Sequence, residues 1–437
     1  MKLWKRIGAL ALTLALSASC LTGCGKSSSF TAPESIDLTT VTDPYQAISG
    51  MSGSTVVATA GETEITAQQL IYWINYSADN LLQYYSMYGL GTELPWTEET
   101  EDGVTLADSV KQNALETAAL YALIPVMAQK DGLTLSDDYK TTFQTSLEQM
   151  AKDLGSDELA EHYLWYFPLT RDLYAHLCDS EQFNSMIMDQ HFGKGTDGYP
   201  SDAEVIQYLE KDEQCYFFKH ILLQVEETAS DTSSSTTSNR EEQKALAESL
   251  AKQLKESDDP LTLFDQLMKE YSEDTGLATY PNGYLGSVNE NSTVASKMVP
   301  VVEEACLSLE NGQISGVLEN TEGYHGFHIV LRLPIEGNVD LEENRKLYIA
   351  NQMTLMQDQW LEENKIVTTE AFEKLDPSVI YASLNVLRDA ITAETEAASA
   401  AQSSASSTST PSASSASSAS SASSASSTDS ASTSSAS

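Results

Sequence analysis

Basic residues are scarce in this chain: 24 Lys and Arg stand against 64 Asp and Glu, a formal charge of −40 over 437 residues. Such a polyanion repels nucleic acid and anionic lipid surfaces, so neither is expected as a partner. Cysteine is scarce too. Apart from Cys20 and Cys24 near the start there are only Cys178, Cys215 and Cys306, an odd number at wide spacing that makes no disulfide framework. There is no HExxH pair, no Cys/His cluster and no GxxxxGK[ST] loop, so neither a metal nor a cofactor is expected. An apolar run of membrane-spanning length is also missing: the stretch at 7–16 is too short to cross a bilayer as a helix.

What that stretch does fit is a signal peptide. Lys2, Lys5 and Arg6 form a basic start, the apolar core follows, and Leu21-Thr22-Gly23-Cys24 makes a small-residue site ending in cysteine. This site resembles the lipobox of bacterial lipoproteins, which implies cleavage after residue 23, acylation of Cys24 and a location on the extracytoplasmic face of the cell membrane. Losing three basic residues leaves 21 against 64 acidic ones, or −43 for the mature chain. A polar tether is expected over 24–53. From about 394 to 437 nearly every residue is Ser, Ala or Thr, too poor in large apolar groups to offset the entropy of ordering, so a disordered tail is expected.

About 350 residues remain, enough for two or three domains. Two short extended runs flank Gly61-Glu62, and Thr66 is placed to cap a helix beginning at Ala67. Leu106, Val110, Ala114, Ala118 and Tyr121 then recur at helical spacing behind Thr105. Ser156, Thr170 and Ser201 mark further helix starts, so 54–213 is expected to be a helical domain. Its aromatics, among them Tyr72, Trp73, Tyr76, Tyr84, Tyr85 and Tyr88, suit core packing for the most part. An exposed fraction would suit a groove for apolar client segments or a homodimer interface.

The periodicity changes at Gln214. Residues 215–225 are a strand-length apolar and aromatic run, followed by a Ser/Thr-rich loop, helices at about 240–256, 261–271 and 298–309, and strands at about 315–319 and 327–333. After Pro334 helical periodicity resumes at about 341–363 and again near 369–392. The pattern is α+β, with a domain at 214–336 inserted in a mostly α-helical scaffold. Helices of 337–393 are expected to pack back on the N-terminal domain.

The insert carries Phe218-Lys219-His220-Ile221-Leu222-Leu223, then Phe264 with Tyr271-Ser272-Glu273-Asp274, then Gly283-Tyr284-Leu285-Gly286, Met298, Leu309 with Gly312, Ile314 and Ser315, and finally Phe327-His328-Ile329-Val330. In that order they resemble a parvulin-type peptidyl-prolyl isomerase domain, a central antiparallel sheet with surrounding helices. The flanking helices, with the turn Gly132-Leu133-Thr134-Leu135-Ser136-Asp137, resemble PrsA- and SurA-type exported foldases. The resemblance implies catalysis of cis-trans isomerisation at proline, with unfolded or partly folded exported polypeptides as clients. It also implies His220 and His328 on adjacent strands with Asp274 beside them, and a proline pocket at Met298, Leu285, Val302, Leu307 and Phe327.

The chemistry needs little more than that. An X-Pro bond rotates over a barrier of about 18–20 kcal/mol set by amide resonance, so a catalyst needs an apolar seat for the ring and an environment favouring the twisted amide, without a covalent intermediate. A lone strand histidine is usually a satisfied core residue; two at matching positions, with an acid between them, point to a site. Val302 stands where the family usually has an aromatic, which would lose about 1–2 kcal/mol of apolar contact. In Gly323-Tyr324-His325-Gly326-Phe327-His328 the glycine-aromatic-histidine pattern occurs twice; His328 continues into a strand, leaving His325 in a loop. Where phosphate-specific relatives carry an arginine cluster, the loop here has Glu226, Glu227 and Asp231, and Arg240 is the first arginine after it, so phosphopeptide specificity is not expected. The competing reading is a holdase chaperone with a catalytically weak parvulin domain. A solute-binding lipoprotein would need repeated β-α units, which the helical halves lack.

Overall fold

The computed structural model describes residues 30–100, 103–228, 237–289, 292, 294, 295 and 297–407. The signal peptide and Cys24, the loop portion carrying Asp231, and the tail beyond 407 lie outside the described residues.

Hydroxyl and carboxylate caps set most helix starts in the first part of the chain. Asp43 caps α1 (Pro44–Ser49), and a hairpin of β1 (Val56–Ala60) and β2 (Thr63–Thr66) follows. Thr66 and Gln69 form a capping box at the head of α2 (Ala67–Met87). Thr105 caps α3 (Leu106–Lys130), which continues through Pro125. Ser136, Ser156 and Thr170 each accept a backbone N–H at the heads of α4 (Asp137–Leu154), α5 (Asp157–Trp165) and α6 (Arg171–Phe192). Ser201 and Glu204 box the head of α7 (Asp202–Gln207), which passes into a wider turn at Tyr208–Asp212.

The chain then switches to strand. β3 (Cys215–Gln224) is followed by α8 (Arg240–Glu256), α9 (Pro260–Tyr271), β4 (Tyr284–Ser287), α10 (Pro300–Ser308), β5 (Leu318–Asn320) and β6 (Gly326–Leu333). These strands form an antiparallel sheet in the order β4-β3-β6-β5. Strand alternation sorts its side chains. Ile221 and Leu223 of β3, with Phe327, Ile329 and Leu331 of β6, face α8 and α9, where Ala247, Leu250, Leu254, Phe264, Leu267 and Met268 complete a buried layer. Tyr216, Phe218 and Val330 point the other way, against Val302 and Cys306 of α10. β4 lies between α9 and α10, where the periodicity marked no strand; Gly283 (φ +118°) lets it approach so closely that a Cβ there would sit 2.6 Å from the Phe218 carbonyl oxygen.

Beyond the sheet the chain returns to where it began. α11 (Leu341–Glu363) leads to β7 (Ile366–Thr368), which pairs antiparallel with β1 to give a sheet ordered β2-β1-β7. A single turn at Glu370–Glu373 precedes α12 (Pro377–Ser407). Met353, Trp360, Phe372, Ile380, Leu384, Leu387 and Ile391 share one buried cluster with residues of α1, β1, α2, α3, α5 and α6. Polar contacts join the same parts: Arg388 binds Asp79 Oδ2 at 2.7 Å, Asn75 Oδ1 at 3.0 Å and the Tyr166 carbonyl at 3.0 Å. Arg345 of α11, 4 % exposed, binds the Pro200 carbonyl and Asp202, each at 2.5 Å.

Several expectations change here. The polar tether expected over 24–53 is folded from Leu38 onward, because Asp43 caps α1 and Tyr45 and Ile48 are buried in the main core. The helix expected near 369–392 is divided into a single turn at Glu370–Glu373 and a helix from Pro377, which suits only a first helical turn, and the β-branched Ile366-Val367-Thr368 just before it forms a strand. α12 also runs to Ser407, into the stretch expected to be disordered from 394. Alanine has the highest helix propensity, and Glu394 is held at 2.6 Å by His162.

Candidate active site

On β3 and β6 the register pairs His220 with Val330 and Leu222 with His328. The two histidines are therefore diagonal neighbours on one face of adjacent strands, within reach of each other. Their rings lie nearly parallel, 13° apart with centroids 5.3 Å apart, and the two Nδ1 atoms are separated by 3.1 Å. Asp274, just after α9, accepts the Gly276 N–H at 2.9 Å and lies 2.9 Å from His220 Nε2 through Oδ2. The Tyr284 hydroxyl donates to the same Oδ2. At the other end Tyr324 Oη is 3.1 Å from His328 Nε2.

One assignment of protons satisfies the whole row. An ionised Asp274 accepts from His220 Nε2–H and from Tyr284; His220 Nδ1 then serves as an acceptor. His328 fills it with Nδ1–H, and its Nε2 accepts the Tyr324 O–H. In this arrangement the donors all run one way, from Tyr324 to Asp274. Burial works against ionising Asp274, but bonds from His220, Tyr284 and Gly276 outweigh it and hold the carboxyl at about 2. His328 has no exposed surface, and desolvation, reinforced by neighbouring His220 against Asp274, depresses its pKa to about 3.

Beside the imidazoles the same face is apolar. Phe218 stacks on Tyr284 with centroids 5.8 Å apart, and Tyr216, Val302 and Cys306 are buried with Phe218 while Met298 packs partly exposed against them. Of the pocket residues expected from sequence, Met298 and Val302 lie here and three do not. Leu285 follows Tyr284 in β4, so alternation turns it to the opposite face, where it pairs with Phe217 and packs near Val205 and Ile335. Phe327 precedes His328 and for the same reason is buried under α8 and α9. Leu307 is one position past Cys306 on α10, about 100° around the helix, and is 59 % exposed. His325 is exposed on the loop, its carbonyl accepting the Val225 N–H at 2.9 Å.

The sequence assigned no role to Tyr324 and offered Phe218 and Tyr284 only as motif residues. Phe218 and Tyr284 were findable, since Phe218 shares the parity of His220 and pairs with Tyr284 across the sheet. Tyr324 sits in a loop without period. Asn320, 3 % exposed, fixes that loop by donating to the carbonyls of Glu322 and Tyr324. The sequence also holds one GxGxxG run, at 193–198. It follows helix α6 rather than a strand, which is not the strand-to-helix setting a dinucleotide site needs.

Paired strand histidines, an acid and an apolar cluster on one face of a four-stranded antiparallel sheet define a class, and comparison with known families gives the same one. Residues 220–332 match the rotamase family described as the PPIC-type PPIase domain, so the centre of the chain is a parvulin-type domain in an α+β protein. Over a longer stretch the chain is similar to the foldase protein PrsA of Staphylococcus aureus. Strains RF122 / ET3-1 and Newman each give 25 % identity over 277 residues, covering 62 % of this chain and 75 % of the relative. Solved PrsA structures also overlap it: that from Bacillus subtilis at 17 % identity, covering 63 % of this chain and 94 % of the other with a TM-score of 0.22, and that from Lactococcus lactis at 14 %, 76 %, 98 % and 0.23. The domain match and the S. aureus relatives show a PPIC-type PPIase domain in a chain that is similar, over a longer stretch, to PrsA foldases.

Proposed function

We propose that this chain is a lipid-anchored foldase on the extracytoplasmic face of the membrane, and that its parvulin-type domain isomerises X-Pro bonds in unfolded or partly folded exported polypeptides. The observation that carries the catalytic reading is the row Tyr324, His328, His220, Asp274 and Tyr284 beside an apolar notch. His220, His328 and Asp274 act on the reacting amide; Met298 and Val302, with Phe218 and Tyr284, seat the proline ring. A twisting amide loses resonance, its nitrogen becomes more basic and its carbonyl less polar, so a dry site with fixed dipoles favours it over the planar amide. No covalent intermediate is needed, and two imidazoles whose ring nitrogens are all taken up in one hydrogen-bonded row are poorly placed to attack a carbonyl.

Residues 54–213 and 337–393 form the scaffold in this reading, with 214–336 as its insert; the shared buried cluster and the β1-β7 pairing support it. The signal peptide and acylation at Cys24 rest on the sequence alone. A protease-coupled assay with a proline tetrapeptide tests the activity. His220→Ala or His328→Ala should lower kcat/KM at least about tenfold, the loss of roughly 1.4 kcal/mol of transition-state stabilisation; unchanged rates would overturn it. A second reading, a holdase with weak isomerase activity, is favoured by Val302, which leaves the notch a smaller wall. It predicts full aggregation suppression with no measurable acceleration at proline.

A further inference from the structure

Away from the paired histidines, a cavity of about 570 Å³ opens among α2, α3, α4 and α6. That volume falls among sites that hold small ligands or side chains. Tyr72, Trp73 and Tyr121 form one ring system, with centroids 4.9 Å apart for Tyr72 and Trp73 and 4.6 Å for Trp73 and Tyr121. Phe143 and Tyr174 form another, 5.6 Å apart. Exposed Glu181, on the lining, accepts the Tyr121 hydroxyl. A carboxylate has about four lone-pair sites, so one hydroxyl leaves capacity for another donor.

This composition selects an occupant. Aromatic faces carry negative charge density and attract a cation within about 6 Å of the ring centre. A carboxylate at the mouth adds to that attraction, and no lysine or arginine occurs among the described residues lining the cavity. An anionic side chain would meet the same groups as repulsion. The whole chain, with 64 acidic residues against 24 basic ones, draws basic segments toward it.

We infer that this cavity is a second client-binding site, taking an arginine or lysine side chain of an unfolded polypeptide with its cationic end between the rings and Glu181. The inference rests on the reading of unfolded polypeptides as clients and is independent of isomerase activity. The test measures binding of a labelled, unstructured Gly/Ser peptide with a central Leu-Arg-Leu to the full chain by fluorescence anisotropy. The same peptide with citrulline for arginine, equal in shape and uncharged, is the comparison. Arginine should bind about tenfold more tightly, with the charge-assisted pairing to Glu181 as the larger share and the rings as the smaller. Glu181→Gln should remove most of that difference while sparing the citrulline peptide, and Phe143→Ala should weaken both. Equal binding of the two peptides, or discrimination that survives Glu181→Gln, overturns the inference. If Phe143→Ala fails to fold, the exposed Glu181→Gln still decides. Repeating the titration on the His220→Ala chain should give the same discrimination, so an isomerase reading that fails leaves this answer intact.

Discussion

His328 is wholly buried yet bonded at both ring nitrogens, and each bond has a measurable consequence. Tyr324→Phe removes the donor to Nε2 and leaves a buried acceptor unmet. At about 1 kcal/mol for such a loss, kcat should fall about fivefold with KM little changed, and the ¹⁵N shifts of His328 should show a changed tautomer balance; unchanged shifts would contradict the proton order given above. Acid should destabilise this domain through the same residue. The folded His328 takes up its proton only near 3, whereas the unfolded residue does so near 6.5. Between those values the unfolded state binds more protons, so stability falls as pH falls, by at most about 1.4 kcal/mol per pH unit. Asp274 adds a lower window: its contribution is complete above the unfolded value of about 3.9 and is lost as pH drops through about 2. Urea titrations from pH 7 to 3 should show the slope, and His328→Gln should flatten it. At residue level the resemblance to parvulin motifs named His220, Asp274, His328 and Met298, and the fold brings them to one side of the sheet. Tyr324 was not legible in the sequence, since a loop residue reaches its partner through a path that Asn320 fixes and no periodicity records.

Among the elements, helices were the easier part to read. Ser136, Ser156, Thr170 and Ser201 stand at helix heads because a short side-chain oxygen satisfies an otherwise orphaned N–H there. Strands were harder. β4 and β7 are four and three residues long, and each owes its existence to a partner far away in sequence, Phe217 and Phe218 for β4 and Val57 to Ala60 for β7. Assigning Leu285 and Phe327 to the pocket failed on alternation, which allows only every second residue on the histidine face. The contact between α12 and α2 can be tested directly. Arg388 spends its donors on Asp79, Asn75 and Tyr166; because Asp79 is 39 % exposed at its side chain, Arg388→Ala should cost about 2 kcal/mol rather than the 3–5 of a fully buried pair. A double-mutant cycle with Asp79→Ala in chemical denaturation should recover about 1 kcal/mol or more as coupling. No coupling would mean the pair is incidental.

For the molecule as a whole, the distribution of cores matters most. Resumed helical periodicity after Pro334 suggested that the ends meet, but not that they would be joined by a strand, because three β-branched or threonine residues are too short a run to mark one. A chain ended at residue 340 loses Ile380, Leu384 and Leu387 from the shared cluster. It should bind a hydrophobic dye and lose cooperative unfolding of its helices, while the insert, with its own buried layers, keeps its rate on proline tetrapeptides. Parallel loss of both signals would show the insert to depend on its frame.

The pairing of β1 with β7 also fixes a timetable. Ribosomes release this chain from its first residue onward, so the strand at 56–60 must wait for 366–368 before its edge is covered, whereas the histidine-bearing sheet is complete by residue 333. During that interval a finished histidine-bearing sheet hangs on an open, half-assembled frame, and any pause between those two points exposes apolar helix faces to the surroundings. The late strand at 366–368 is thus a clasp, and damage to it should be felt first in the helices made earliest.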